Sequence, residues 1–278
     1  MSENKSNVRT KSPKKKHRKK KKLYFLGFLV FFLLVVAGIL YTANYYMKQQ
    51  HAQKAYEDLK EESAEISEET GEVAKPEETA DEPGWRIENT INFEELQEHN
   101  QDVYCWIEIP GTEVDYPVLQ HPTDDSYYLN HTIERVEGLP GSIYSELVHP
   151  KDFSAANTVL YGHNMKNDTM FGSLHDYEDA EKIKENPYIY IYLPEKTLVY
   201  EIFAAVRFSD AYLPVYCDYD DSVQFLEYVD DIKNSAGNVN EDIEITEDSR
   251  LLTLSTCIND APNHRFLVEA VLIDEYER

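Results

Sequence analysis

The chain has 278 residues, with 27 Lys and Arg against 52 Asp and Glu, and a formal net charge of −25. Hydrophobic residues make up 42% of the chain, which is enough for a folded core and excludes a wholly disordered protein. The acidic balance argues against a nucleic-acid-binding protein, and three cysteines are too few for a disulfide-stapled scaffold or a four-cysteine zinc site.

The N-terminal part of the chain predicts a membrane anchor. Residues 1–22 form a basic tail with eleven Lys and Arg and one acid, and the 21 residues of 23–43 follow without a charge. As a helix, this uncharged stretch is about 31 Å long, which matches the hydrocarbon core of a lipid bilayer. A cleaved signal peptide is the alternative, but the basic segment is unusually long for one. Because basic flanks stay in the cytoplasm, we expect a single-pass protein with its C-terminal part outside the cell.

The segment 44–84 is predicted to be an acidic stalk and linker. Thirteen acids lie between Glu57 and Glu88, and large apolar residues are almost absent there. Residues 49–66 lack helix breakers and are compatible with a solvated helix, whereas 71–84 are typical of a flexible linker. The remaining residues, 85–278, have a suitable length for one folded domain.

Short apolar runs separated by Pro and Gly predict that this domain is mainly β with inserted helices. Asn92 is a predicted N-cap of a short helix at its start. The predicted strands are Val103–Ile109, Val114–Leu119, Ser142–Tyr144, Asn157–Tyr161, Tyr188–Leu193, Thr197–Phe208, Leu251–Cys257 and Phe266–Ile273. One later segment, Asp221–Lys233, is predicted to be a helix because apolar residues recur there at every third position. Those residues are Val223, Leu226, Val229 and Ile232. Eight strands with inserted helices indicate a closed barrel, antiparallel or mixed.

Cys257 is the strongest candidate for a nucleophile. It ends the apolar run 251–257 where a polar loop begins, and catalytic groups tend to stand at such positions. Cys105 and Cys217 each adjoin an aromatic residue and are predicted to be small core or loop residues.

Arg265 begins the strand that follows this loop, and seven residues separate it from Cys257. If the two strands pair as a hairpin, the thiol and the guanidinium emerge side by side at one end. A fixed cation near a thiol favours the thiolate, and it can donate hydrogen bonds to an oxyanion. An ordinary surface Arg at a strand start has the same spacing, so spacing alone leaves both interpretations open.

A thiol nucleophile also needs a proton partner. His163 follows the buried run 158–161 and the breaker Gly162, so it also lies at the end of a core strand. His264 adjoins Arg265, but neighbouring residues of a strand point to opposite sides. Sequence position alone leaves a structural role for His163 open. Metal and phosphate chemistry lack their usual motifs, since no HExxH, CxxC or Gly-rich phosphate loop occurs.

Several of these segments resemble the sortases, which are membrane-anchored transpeptidases of Gram-positive bacteria. Residues 253–257, TLSTC, resemble the TLxTC signature of that family. Residues 161–165, YGHNM, are similar to the histidine segment of class B sortases, and residues 106–111 and 114–118 resemble the early strands of that class. The resemblance extends over residues 85–273 in the expected order.

The resemblance implies an eight-stranded sortase barrel with N-terminal helices and one extra helix before the cysteine strand. It also implies roles for three residues: Cys257 as the nucleophile, His163 as the general acid and base, and Arg265 as the group that holds the substrate carbonyl and the oxyanion. No cofactor is implied.

The resemblance further implies peptide-binding positions. They are Tyr161, Tyr212, Leu213 and Ser255. Some class B members have an Asp two residues after the cysteine, where this chain has Asn259. Whether Asn259 or the neighbouring Asp260 assists catalysis therefore stays open.

The implied function is cleavage of the C-terminal sorting signal of secreted proteins. A thioester on Cys257 would then be transferred to an amine of a cell-wall precursor of the lipid II type. One alternative is a pilin-polymerising sortase, in which a Lys of another pilin subunit is the acceptor. The others are a cysteine peptidase that releases its product to water and a non-catalytic surface-binding module.

Overall fold

The structure, a computed structural model, describes residues 14–69, 84–210, 213 and 221–278. Within these ranges the α-helices are α1 Lys14–Glu69, α2 Phe93–His99, α3 Ala180–Glu185 and α4 Ser222–Lys233. Two 3₁₀ helices cover Tyr127–Leu129 and Ser173–Glu178. The strands of the same ranges are β1 Val103–Glu108, β2 Asp115–Leu119, β3 Ile143–Tyr144, β4 Asn157–Tyr161, β5 Tyr188–Tyr192, β6 Lys196–Ser209, β7 Ala236–Val239, β8 Leu251–Cys257 and β9 His264–Glu277.

The chain divides into two compact units, residues 1–50 and 51–278. In the part of the first unit that the structure describes, α1 exposes its apolar side chains, among them Leu23, Phe32 and Leu40. Among the described residues, one helical stretch, Leu23–Leu59, is long and apolar enough to cross a membrane.

The second unit is built on an eight-stranded barrel, which confirms the predicted fold. The strands are hydrogen-bonded in the order β5-β1-β2-β3-β4-β8-β9-β6, and pairing of β6 with β5 closes the ring. The β2–β3 and β4–β8 pairs are parallel and the other pairs of the ring are antiparallel, so the barrel is mixed.

The long strand β6 also pairs with β7, which lies outside the ring. The sequence analysis missed this strand because Ala236–Val239 contains no apolar run. Gly237 has a φ of +159°, and a side chain there would meet the carbonyl oxygen of Ala205 at 2.2 Å. Pairing with β6, rather than burial of its own side chains, therefore holds β7 in place.

Alternating side chains of β9 divide the interior into two cores. Phe266 and Val268 belong to the larger core, whereas Leu267 and Val271 belong to a second core that α4 covers. The predicted helix over 221–233 is confirmed, with Asp221 as its N-cap.

The predicted apolar face of α4 is partly wrong. Val223 and Leu226 are exposed, and the residues buried on the barrel are Phe225, Tyr228, Val229 and Ile232. Steps of three residues drift around a helix of 3.6 residues per turn, whereas the spacing i, i+3, i+4, i+7 of the buried set keeps one face.

The C-terminal part of α1 belongs to the second unit. Tyr56 and Leu59, which lie in the segment assigned to the stalk, are buried in the larger core. The Tyr56 hydroxyl donates to the carbonyl oxygen of Gly141 at 2.8 Å and lies 3.0 Å from Ser142 Oγ.

The predicted short helix is confirmed as α2, because the Asn92 side chain accepts a hydrogen bond from the Glu95 N–H.

Candidate active site

Cys257 and Arg265 are brought together by the pairing of β8 with β9. The two residues face each other across the last pair of the antiparallel ladder. The Cys257 thiol is free and exposed. Arg265 Nη1 donates to the carbonyl oxygens of Pro262 at 3.2 Å and His264 at 3.0 Å. These bonds hold the guanidinium at the end of the ladder, beside the thiol-bearing residue.

His163 is brought to the same end by the pairing of β4 with β8. The two strands are parallel, with Tyr161 opposite Ser255, so both strands end at the same edge of the sheet. Beyond β4, the Gly162 N–H donates to the Ser255 carbonyl at 3.2 Å, and Thr256 Oγ1 donates to the Gly162 carbonyl at 2.8 Å. Two hydrogen bonds therefore tie the residue before His163 to the strand that carries the cysteine.

Gly162 is required by close packing at this point. A Cβ there would lie 2.5 Å from Ile143 Cδ1 and 2.7 Å from Phe171 Cδ2. Since real Cβ atoms do not approach other atoms so closely, a larger residue would force either these two side chains or the backbone that leads to His163 to shift.

The His163 ring is oriented by a backbone carbonyl. Nε2 lies 2.6 Å from the carbonyl oxygen of Leu129, at the end of the first 3₁₀ helix. Because a carbonyl oxygen only accepts hydrogen bonds, Nε2 carries the proton of this bond. Nδ1 is then the ring nitrogen left to exchange a proton with a reactant.

A cleft of about 270 Å³ contains the three predicted catalytic residues. Three of the four predicted peptide-binding residues line it as well, namely Tyr161, Leu213 and Ser255. Leu213 and Ser255 are each 4% exposed, so they offer a ligand little surface. The fourth, Tyr212, lies outside the described residues, as does Cys217.

The sequence analysis missed other side chains of the cleft. They are Leu129, Tyr144, Glu146, Ser209, Asp210 and Thr256. The Tyr144 ring stacks on Tyr161 with ring centroids 5.4 Å apart, and the two residues are opposite each other in the β3–β4 pair. Loss of solvent, followed by the nearby Glu146 carboxylate, raises the pKa of Tyr144 above its ordinary range. Tyr144 therefore presents a neutral hydroxyl to the cleft. In the sequence, only its pairing with Tyr161, a predicted peptide-binding residue, could have indicated this position.

Two carboxylates make the cleft acidic. Glu146 lies close to Tyr161, whose hydroxyl is 3.5 Å from Glu146 Oε2, and Asp210 directly follows the last residue of β6. Asn259 and Asp260 are exposed in the loop after Cys257, and neither is among the described residues that line the cleft. A role for either of them in the reaction stays a hypothesis.

The buried Cys105 contrasts with Cys257. Its side chain is fully buried, and burial raises the pKa of its thiol well above the ordinary range. Between the two cysteines that the structure describes, only Cys257 therefore has the exposure that a nucleophile requires.

Comparison with known proteins agrees with this arrangement. The Sortase domain family matches residues 107–273. Sortase B of Listeria monocytogenes is 30% identical over 163 residues, which are 59% of this chain and 65% of that protein. Sortase B of Staphylococcus aureus is 30% identical over 165 residues, 59% of this chain and 67% of that protein. The aligned part is thus about two thirds of the length of these relatives.

Solved structures extend the similarity to the fold. A Staphylococcus aureus sortase B–substrate complex superposes with a TM-score of 0.66 at 26% identity, covering 82% of this chain and 99% of that one. Clostridium perfringens sortase B superposes with a TM-score of 0.58 at 29% identity, covering 66% and 100%. The family match, the sequence similarity and the shared barrel agree, and the chain belongs to the sortase family, in class B.

Proposed function

We propose that this protein is a cysteine transpeptidase that cleaves the C-terminal sorting signal of secreted proteins and transfers the N-terminal part to an amine. The observation that carries the proposal is one cleft, lined by a thiol, an imidazole and a guanidinium, at the ends of β4, β8 and β9. The three side chains belong to Cys257, His163 and Arg265.

In the first half of the reaction, the Cys257 thiolate attacks the carbonyl carbon of the scissile peptide bond. A thioester forms, the C–N bond breaks, and the His163 imidazolium gives its proton to the leaving amine. In the second half, an incoming amine loses a proton to His163 and attacks the thioester, which releases the thiolate. Over the two halves one C–N bond is broken, another is formed and the thiolate is regenerated. No oxidation state changes, and the proposal requires no cofactor.

Arg265 is proposed to bind the substrate carbonyl and the oxyanion. Its Nη1 is held by the carbonyls of Pro262 and His264. Guanidinium has five N–H donors, so those on Nε and Nη2 are the donors that a carbonyl in the cleft would meet. Donors fixed in advance stabilise the developing oxyanion without reorganisation during the reaction.

The acceptor is proposed to be an amine of a cell-wall precursor of the lipid II type. The carboxylates of Glu146 and Asp210 would attract the ammonium form of an approaching amine. A pilin Lys carries the same charge, so pilin polymerisation stays the second candidate. For the substrate, support comes from the Staphylococcus aureus relative, which has been solved as a substrate complex.

The proposed location is the cell membrane, with the barrel outside the cell. Support comes from the apolar helical stretch that begins at Leu23 and from the basic residues 1–22 before it. Such a basic flank stays in the cytoplasm. The lipid bilayer around residues 23–43 is then a partner of the protein.

The test is turnover of sorting peptides by the full-length protein in detergent micelles. We expect the wild type to cleave a matching peptide and to form a peptide–amine product when an amine is added. Cys257→Ala should lose both activities, because it removes the nucleophile. It should keep the fold, because the thiol is exposed and its loss creates no cavity.

Alkylation provides an internal control. Iodoacetamide should modify Cys257 with loss of activity, while the buried Cys105 stays unmodified in the folded protein. A Cys257→Ala variant that still turns over the peptide would refute the mechanism. Cleavage without any amine product would favour the peptidase, and an unreactive Cys257 would favour the binding module.

A further inference from the structure

The carbonyl oxygen of Cys257 is contacted by two side chains from the segment after β4. Asn164 Nδ2 donates to it at 2.9 Å, and His175 Nε2 lies 3.0 Å from it. The same two nitrogens are 2.9 Å apart, and His175 Nδ1 lies 3.0 Å from Glu178 Oε1. Asn164, His175 and Glu178 thus form a connected group, here called the carbonyl clamp.

The clamp continues the ladder between β4 and β8 after β4 has ended. The Ser255 carbonyl accepts from the backbone N–H of Gly162. In a strand, carbonyls two residues apart point to the same side, so the Cys257 carbonyl also points towards β4. There it meets the side-chain amide of Asn164 instead of a backbone N–H.

The protons of the clamp can be assigned from its contacts. The Cys257 carbonyl oxygen only accepts hydrogen bonds, so the Asn164 amide and His175 Nε2 are its two donors. The 2.9 Å between these two nitrogens is then the spacing of two donors that converge on one oxygen. On the other side of the His175 ring, Nδ1 lies against the Glu178 carboxylate.

Packing fixes the clamp from its other sides. The His175 ring stacks on Phe266 with ring centroids 4.7 Å apart and an interplanar angle of 19°. Phe266 follows Arg265 on β9 and is opposite Thr256 on β8. Glu178 Oε1 lies 3.6 Å from a guanidinium nitrogen of Arg207 on β6. The clamp therefore contacts both strands that carry the cysteine and the arginine.

We infer that Asn164, His175 and Glu178 are positioning residues for the acyl-transfer reaction. None of them is among the described residues that line the cleft, so they act through the backbone of Cys257 rather than through substrate. Asn164 directly follows His163, so a bond from Asn164 to the Cys257 carbonyl fixes the imidazole-bearing backbone relative to the thiol-bearing one. The inference rests on the proposed function, because it assigns these residues to a reaction of Cys257.

The test compares kinetics of full-length variants in detergent micelles. His175→Phe keeps an aromatic ring on Phe266 but removes both ring nitrogens, and Asn164→Leu removes the amide at similar size. We expect each to lower kcat for a sorting peptide by about tenfold or more, since small misplacements of reacting groups have such effects. KM should stay within about twofold, because the clamp does not touch substrate.

Conservative variants separate hydrogen bonding from packing. His175→Gln keeps a polar group at the place of Nε2 and should recover most of the kcat that His175→Phe loses. Glu178→Gln weakens the partner of Nδ1 and should lower kcat as well. Its matched control is Glu181→Gln, which removes an exposed carboxylate that pairs with Lys184, and this control should leave kcat unchanged.

A second measurement does not depend on sorting activity. In protein labelled with carbon-13 at the cysteine carbonyls, the Cys257 resonance is assigned by its loss in Cys257→Ala. It should move upfield in His175→Phe and in Asn164→Leu, because the carbonyl loses a hydrogen bond. A folded wild type that turns over no sorting peptide would count against the proposed function, while this resonance still reports on the clamp.

Three results would overturn the inference. The first is an unmoved Cys257 resonance in both variants. The second is an unchanged kcat in folded His175→Phe and Asn164→Leu. The third is an equal loss of kcat in His175→Gln and His175→Phe, which would mean that hydrogen bonding at this position is irrelevant. If His175→Phe does not fold, Asn164→Leu and Glu178→Gln decide by the same criteria.

Discussion

A buried carboxyl group beneath the candidate active site should make the stability of the barrel depend on pH. Glu269 lies on β9 and is fully buried. It accepts hydrogen bonds from the Tyr228 hydroxyl at 2.7 Å and from Thr253 Oγ1 at 2.8 Å, and Thr253 is bonded in turn to Asn157. These are neutral partners. Loss of solvent therefore outweighs the two hydrogen bonds and raises the pKa of Glu269 from its ordinary 4.5 to about 7.

The sign of the effect follows from the protons bound in each state. Between pH 4.5 and about 7 the folded protein holds the Glu269 proton more tightly than the unfolded chain does. The free energy of unfolding therefore falls as the pH rises through this window. A rise of the pKa from 4.5 to about 7 corresponds to about 3 kcal/mol once the pH is above 7.

Glu269→Gln isolates this contribution. An amide resembles the protonated carboxyl group in shape and in hydrogen-bonding capacity, and it does not ionise. We expect the variant to be similar in stability to the wild type near pH 5. By pH 8 it should be more stable than the wild type by about 2–3 kcal/mol. The measurement is urea unfolding of the compact unit 51–278, followed by circular dichroism at several pH values.

The control is Glu277→Gln on the same strand, where the carboxyl group is exposed. Its difference from the wild type should stay constant with pH. A Glu269→Gln difference that does not grow between pH 5 and 8 would refute the reasoning, because it would mean that burial leaves this carboxyl group free to ionise.

Two further predictions concern stability. A protein of residues 85–278 should be less stable than one of residues 51–278 by about 3 kcal/mol or more, because it lacks the buried Tyr56 and Leu59; equal urea midpoints would contradict this. Burial lowers the pKa of His149 from its ordinary 6.5 to about 4, so the unfolded chain binds a proton first as the pH falls through this window. The free energy of unfolding should therefore fall less for His149→Gln than for the wild type between pH 6.5 and 4, and equal decreases in the two proteins would contradict this prediction.

The barrel strands were predictable from sequence because each is a short apolar run bounded by Pro, Gly or polar residues. The burial of Tyr56 and Leu59 was not, since two large apolar residues in an acidic segment are too few to mark a buried helix face. The short strand β7 was missed because its own sequence contains no apolar run, and it is held in the sheet by backbone pairing with β6.

The candidate site was predictable to different degrees. The facing positions of Cys257 and Arg265 follow from a short loop between consecutive strands. The approach of His163 does not follow from local sequence, because β4 and β8 are far apart in the chain and their pairing depends on the whole topology. For His163 only the family resemblance supplied the connection. His175 gave no signal at all, since it lies in a 3₁₀ helix whose place beside Cys257 is set by tertiary packing.

The parallel pair β4–β8 therefore has a particular importance for the proposed chemistry. The backbone that leads from Gly162 to His163 is tied to the cysteine strand by the Gly162 N–H, the Thr256 hydroxyl and the Asn164 amide. These bonds involve the backbone of one strand or the other, so the relative position of imidazole and thiol is set by the sheet. Arg265 instead depends on the β8–β9 register and on carbonyls of its own loop. Changes in the loop after Cys257 should thus affect oxyanion binding first, whereas changes between Gly162 and Glu178 should affect proton transfer first.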